Sequence, residues 1–236
     1  MHAIEFMESL KRLEISVFTV VDTAKILNKS REYVRLYLHR LEKQGLLIRI
    51  EKNKYALRDM DVWVVATSIV KPSYISFLSA FYLHHLTTQI PIRIQVVAPI
   101  SRKTAFFKDH EIDFIKIKQN RIFGYRKHLF GGSQIYIAEK EKAIVDSLYL
   151  QKGVAASDVN NALSQCDIKK LISYAIRMES KVVIQRLGYL LELNKFEIPS
   201  SFLKMIGQNY VLLNPTLPKK GKRIPKWKLI VNEVLE

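Results

Sequence analysis

Apolar residues recur at every third position, Ile4, Met7, Leu10 and Leu13, which predicts an amphipathic helix over Met1 to Leu13. A β-prone link, Ile15 to Val20, leads to Asp22 and Thr23, either of which can cap a short second helix at about Ala24 to Leu27. Asn28 tolerates a left-handed turn, Ser30 caps a third helix running to about Gln44, and Gly45 stops it. On that third helix Val34, Tyr37, Leu38 and Leu41 stand at i, i+3, i+4 and i+7, the face that packs on the first two helices. The apolar run Leu46 to Ile50, the polar Glu51-Lys52-Asn53-Lys54 and then Tyr55-Ala56-Leu57 read as a hairpin around an Asn-containing turn. Three helices followed by a hairpin is the order of a winged helix-turn-helix, expected over residues 1–58.

The pattern changes beyond it, over residues 61–236. Residues 61–71 are apolar, and Lys71-Pro72 favours an extended turn before a helix over Phe77 to Leu86, capped by Ser73 or Ser76. His84 and His85 are adjacent, so they diverge on a helix and lack metal spacing. Ile92–Ala98, Phe114–Lys118 and Gln134–Ala138 read as strands of a small mixed sheet, with Arg121–Ser133 as a basic loop carrying Arg126, Lys127, His128 and Gly131-Gly132-Ser133. Helices follow over Lys140–Leu150, Ser157–Gln165, Ile168–Met178 and Val182–Leu193. The basic link from Pro218 to Arg223 reads either as a phosphate-binding arm or as a surface loop, ahead of a β-like stretch at Trp227–Val231. The fold class is therefore α+β: an N-terminal winged helix-turn-helix and a mixed α/β domain with a small sheet and several helices.

With 236 residues, 48% of them hydrophobic, the chain can bury a core, and no apolar run is long enough for a membrane helix. The first residues, Met1 to Arg12, contain no apolar signal segment and Cys166 is the only cysteine, both consistent with a cytoplasmic protein. A formal net charge of +16 attracts polyanions. The excess is shared, however: residues 1–60 hold 12 basic and 8 acidic groups, residues 101–142 hold 10 and 5, and residues 213–236 hold 6 and 2. Charge alone does not single out a DNA-binding segment, so helical spacing has to.

The outward side of the third helix supplies that selection. Lys29, Ser30, Arg31, Glu32, Tyr33, Arg35, His39 and Lys43 offer the cationic and hydrogen-bonding groups that phosphates and base edges require, while Arg49, Lys52 and Lys54 on the wing reach for flanking backbone. Leu36 on the same side either meets a thymine methyl or belongs to a dimer contact. The expected ligand is double-stranded DNA, an inverted-repeat operator read by two copies. Two other classes stay open: a winged helix that binds only protein, and a regulator whose second domain senses a small effector.

Catalytic patterns fail on spacing. Gly132-Ser133 followed by Asp146 begins a nucleotidyltransferase pattern, but Leu148 stands where the second metal-binding carboxylate belongs. Asp167-Ile168-Lys169 and Glu179-Ser180-Lys181 fit a nuclease triplet, yet fall in helical sequence where capping and surface pairing explain them. No Walker loop, GxGxxG, HExxH or Cys-His cluster is present, so neither enzyme activity nor a cofactor or metal is expected.

The ordered set Gly45-Leu46-Leu47-Ile48-Arg49, Tyr55-Ala56-Leu57, Tyr74-Ile75-Ser76-Phe77-Leu78-Ser79-Ala80, Glu141-Lys142-Ala143-Ile144-Val145-Asp146 and Trp227-Lys228-Leu229-Ile230-Val231-Asn232 resembles the AbiEi-type antitoxins of bacterial and archaeal toxin-antitoxin pairs. One departure is Asn53-Lys54, which stands where the family usually has Arg-Gly before the wing tyrosine. The resemblance implies an autorepressor of its own operon, in a system associated with abortive infection. It also implies a partner toxin, usually nucleotidyltransferase-like and encoded nearby, that the protein counteracts.

Overall fold

The computed structural model describes residues 2–235; Met1, included in the first expected helix, lies outside them. The chain folds into two compact units, each assembled from segments that are not contiguous in sequence. The first gathers residues 1–74, 92–117 and 127–136, and the second gathers residues 75–91, 118–126 and 137–236.

The first unit begins with α1 (Ala3–Arg12), β1 (Phe18–Thr19), α2 (Val20–Leu27), α3 (Arg31–Lys43), β2 (Leu47–Glu51) and β3 (Lys54–Leu57), a winged helix-turn-helix. Phe6, Leu10, Phe18, Val34, Leu38, Leu41, Leu47 and Leu57 form its core, with Tyr37 half-buried beside them, so the i, i+3, i+4, i+7 face of α3 packs as the spacing predicts. On α1 the buried stripe is different. Phe6, Ser9 and Leu10 face inward, while Ile4 and Leu13 are 66% and 54% exposed. A strict three-residue repeat drifts around a 3.6-residue helix, so Ile4 to Leu13 cannot all stay on one side.

α2 starts four residues earlier than expected. Thr19 Oγ1 accepts the Asp22 N–H at 3.2 Å, and Asp22 accepts the Thr19 N–H at 2.9 Å, a reciprocal cap that forestalls capping at Asp22 or Thr23. Asn28 takes the left-handed conformation at φ +49°, and Ser30 Oγ accepts the Tyr33 N–H at 3.3 Å to open α3. In the three-stranded sheet, ordered β1-β3-β2, the β2–β3 hairpin turns at Asn53 with φ +70°. Asn tolerates that left-handed backbone better than most residues with a side chain.

The same unit adds α4 (Val62–Ser68), opened by the Asp61 carboxylate accepting the Trp63 N–H at 2.8 Å. After β4 (Tyr74–Ile75) and α5 (Phe77–Leu83) come β5 (Arg93–Ala98), β6 (Ala105–Phe107) and β7 (His110–Lys116), ordered β6-β7-β5 with β5 and β7 parallel and β6 and β7 antiparallel. The strand expected at Phe114–Lys118 begins at His110, because Ile112 and Phe114 alternate with Glu111 and Asp113 against β5. Within this unit Arg102 pairs with Glu51 of the wing. The expected basic loop Arg121–Ser133 instead contains β8 (Tyr125–Phe130), before β9 (Ser133–Ala138). Arg126, Lys127 and His128 on β8 are consecutive exposed polar residues, which conceals the period-two signal.

The second unit takes α5, the parallel pairing of Ile75 with Ile137, then α6 (Lys140–Tyr149), α7 (Ala156–Ala162), α8 (Ile168–Arg177), α9 (Lys181–Leu193) and α10 (Ser200–Leu203). Ser76 occupies the N-cap position of α5, but its hydroxyl donates to Asp146 at 2.8 Å rather than capping. Asp146 also receives the ammonium of Lys142, and both side chains are fully buried. At the end of the chain β10 (Val211–Leu212), β11 (Lys222–Ile224) and β12 (Leu229–Val231) form a sheet ordered β10-β12-β11. The expected strand at Trp227–Val231 is thus shorter, since Pro225–Trp227 is a 3-10 turn, and the basic link before it ends in a strand. The molecule has the expected mixed α/β architecture behind an N-terminal winged helix.

Candidate nucleic-acid interface

α3 is anchored by one face and open on the other. With Val34, Leu38 and Leu41 buried, Lys29, Ser30, Arg31, Glu32, Tyr33, Arg35, His39 and Lys43 are all exposed. The spacing that selects them in the sequence therefore brings them to one solvent-facing side. Arg40, which the sequence reading does not select, is exposed as well and belongs to the same side; its position three residues before Lys43 is the signal that places it there.

Internal pairing on this surface is sparse. Glu32 is the carboxylate that lies near the cations; its own backbone N–H and the Ser30 hydroxyl hold it below the usual carboxylate range, and Arg35 lies 3.8 Å away. An exposed pair of that length is loose and readily exchanged for an anionic ligand. Leu36, 61% exposed, adds an apolar group among the charges. Tyr33 stacks on Tyr37, ring centroids 6.3 Å apart at 11°, which fixes the tyrosine at the start of the helix.

On the wing the three expected residues separate. Lys52 is exposed at the tip beside Asn53, and Arg49 is exposed with its Nε donating to the Glu51 carbonyl at 3.4 Å. Lys54 is half-buried, and its ammonium is committed inward, 2.9 Å from both a Glu51 carboxylate oxygen and the Ile69 carbonyl. Burial raises the Glu51 pKa, but hydrogen bonds from Arg102 and Lys54 outweigh it and hold the carboxyl below its ordinary range. Lys54 thus supports the base of the wing, whereas Lys52 stands in solvent at its tip.

The catalytic patterns have structural occupations. Asp146 is engaged by Ser76 and Lys142, and Asp167 accepts the Lys170 N–H at 3.1 Å as the cap of α8. Burial raises the Cys166 thiol to about 12, with Glu141 adding to the effect, so it is not a reactive thiolate. Among the described residues no group of three or more His, Cys, Asp and Glu side chains is arranged to hold a metal ion, and no helix is long and apolar enough to cross a membrane. His84 instead has its Nε2 2.6 Å from the Ala138 carbonyl.

No curated protein matches the chain. Among solved structures, the RV2827C protein from Mycobacterium tuberculosis is similar with a TM-score of 0.63 at 14% sequence identity, over 94% of this chain and 88% of that one, a likeness of fold. The family model described as a transcriptional regulator, AbiEi antitoxin, matches residues 5–58, the same stretch whose helices and wing present the cationic surface. The winged helix is therefore the part of the chain that is similar to the AbiEi antitoxin transcriptional regulators.

Proposed function

We propose that the winged helix, taken as a domain of residues 1–58, represses the protein's own operon in the cytoplasm by placing α3 in the major groove of operator DNA. The remaining residues, 61–236, counteract a nucleotidyltransferase-like toxin encoded nearby. The observation that carries the DNA half is the uninterrupted exposed side of α3, where Lys29, Arg31, Arg35 and Lys43 surround one weakly paired carboxylate. Two copies on an inverted repeat would match the two-fold symmetry such helices commonly use. Lys52 and Arg49 brace the backbone beside the groove, and Tyr33, His39 and Ser30 supply hydrogen-bonding groups at its edge.

A gel shift on the upstream DNA with Arg35→Ala tests this reading. If Arg35 meets a base edge, affinity falls by about 1–3 kcal/mol at one operator position; if it meets a phosphate, all sequences weaken alike and the salt dependence flattens by about one. Unchanged operator affinity overturns the docking. The competing reading, an effector-sensing regulator, draws on an open polar groove of about 870 Å³ in the first unit, lined by Lys71, Lys127, Asp61, Ser68 and Gln134 among others. Operator affinity that responds to a small metabolite and is indifferent to the neighbouring protein would favour it.

A further inference from the structure

From Ile198 to Asn232 the chain contains seven Lys and Arg residues and no Asp or Glu. Six of the cations, Lys219, Lys220, Lys222, Arg223, Lys226 and Lys228, fall within ten residues around β11 and the following turn. Among the described residues no ion pair involves Lys219, Lys220, Lys222 or Arg223; Lys226 is paired with Glu192. Concentrated like charge without internal compensation destabilises a surface unless an anion relieves it.

The segment is also held in a defined conformation. β11 pairs antiparallel with β12 from Lys222↔Val231 to Ile224↔Leu229. Asn232 Nδ2 donates to the carbonyls of Asn214 at 2.7 Å and Pro218 at 3.0 Å, pinning both ends of the loop that precedes the lysines. A buried Gln185 donates to the carbonyls of Trp227 at 3.1 Å and Lys228 at 2.9 Å, fixing the turn on the other side. Trp227 beneath it is fully buried and packs so closely on α9 that a Cβ at Gly188 would lie 2.0 Å from its ring. Arg223 and Lys228 both lie against the Tyr210 ring, 5.5 and 5.3 Å from its centroid. The aromatic ring places two charges at set positions and is itself 38% exposed.

We propose that this arm, Lys219 to Lys228 with Tyr210, is a second nucleic-acid-binding site that takes the phosphodiester backbone without regard to sequence. Preorganised cations lose little freedom on binding, and an exposed aromatic among them suits nucleic acid better than an acidic polypeptide. The site lies wholly in the second unit and does not depend on the winged helix binding DNA.

The test uses the full chain carrying Arg31→Ala, Arg35→Ala and Lys43→Ala, so that α3 contributes little, and follows anisotropy of a labelled random-sequence duplex across about 50–200 mM salt. Further changing Lys219, Lys220 and Lys222 to Gln should flatten the log affinity against log salt slope by about 2.7, three contacts at about 0.9 each, and weaken low-salt binding about tenfold or more. The corresponding Lys→Arg triple variant should keep both. An RNA of the same sequence, run in parallel, distinguishes which nucleic acid supplies the phosphodiesters, and binding to either sustains the proposal. An unchanged slope in the Gln variant overturns it. So does tighter binding of poly-glutamate than of either nucleic acid, which would assign the arm to an acidic protein partner.

Discussion

Two lysines two residues apart, Lys52 and Lys54, show how little residue type says about role. Both stand in the wing turn and both are expected from the sequence to meet phosphate, yet one ammonium stands in solvent and the other closes a contact between Glu51 and the Ile69 carbonyl. Lys52→Ala should flatten the salt dependence of operator binding by about 0.9 and leave thermal stability unchanged. Lys54→Ala should do the reverse, lowering stability by about 1 kcal/mol while the salt slope holds, because it removes hydrogen bonds to a charged and a neutral acceptor. Since the folded state lowers the Glu51 pKa, the stabilisation from its ion pairs is present above the unfolded carboxylate pKa and disappears as pH falls through the folded value. Parallel melting curves across the acid range and binding titrations across salt check both halves. Equal behaviour of the two alanine variants would mean the wing base is not held as described.

Elements were legible where burial follows a single period. α3 was readable because its apolar positions keep the helical spacing and both ends carry their signals, Ser30 at the start and Gly45 with φ +72° after it. β8 was not, because consecutive exposed polar residues, Arg126, Lys127 and His128, erase the alternation by which a strand announces itself. α2 was misplaced because the chain offers Thr19, Asp22 and Thr23 in close succession, and only the reciprocal bond between the first two decides among them. The buried cluster on α6 was readable only as motif. Ser76 and Asp146 stand 70 residues apart, and Lys142 one helical turn before Asp146; nothing in the pattern says that they meet. The exposed side of α3 was legible apart from Arg40, whereas the commitment of Lys54 depends on a carbonyl 15 residues away. The α6 cluster carries a prediction of its own. Asp146→Ala leaves the Lys142 ammonium buried without its carboxylate and should cost about 3–5 kcal/mol in urea unfolding, while a Lys142→Met, Asp146→Leu double change should recover most of the loss. A single variant as stable as the parent would show that the pair is not buried in solution.

At the scale of the whole molecule the decisive feature is that the winged helix carries its own hydrophobic core. Phe6, Leu10, Phe18, Val34, Leu38, Leu41 and Leu57 pack on one another, so charges on the far side of α3 can be removed without disturbing what lies beneath them. Substitutions at such exposed positions typically change stability by no more than about 0.5 kcal/mol. If operator binding depends on this helix and toxin neutralisation on the remainder of the chain, the two activities should separate. A chain with Arg31→Ala, Arg35→Ala and Lys43→Ala should then derepress a reporter driven by its own promoter and still rescue growth when the neighbouring toxin is induced. Conversely, Asp146→Ala, which strikes the core of the second unit, should impair rescue more than a purified protein's affinity for short operator DNA. Protein levels measured by blotting alongside both readouts distinguish lost activity from lost fold. Loss of rescue by the α3 variant at normal abundance would mean that the cationic helix itself takes part in neutralisation, and that the division of labour between the winged helix and the rest of the chain is wrong.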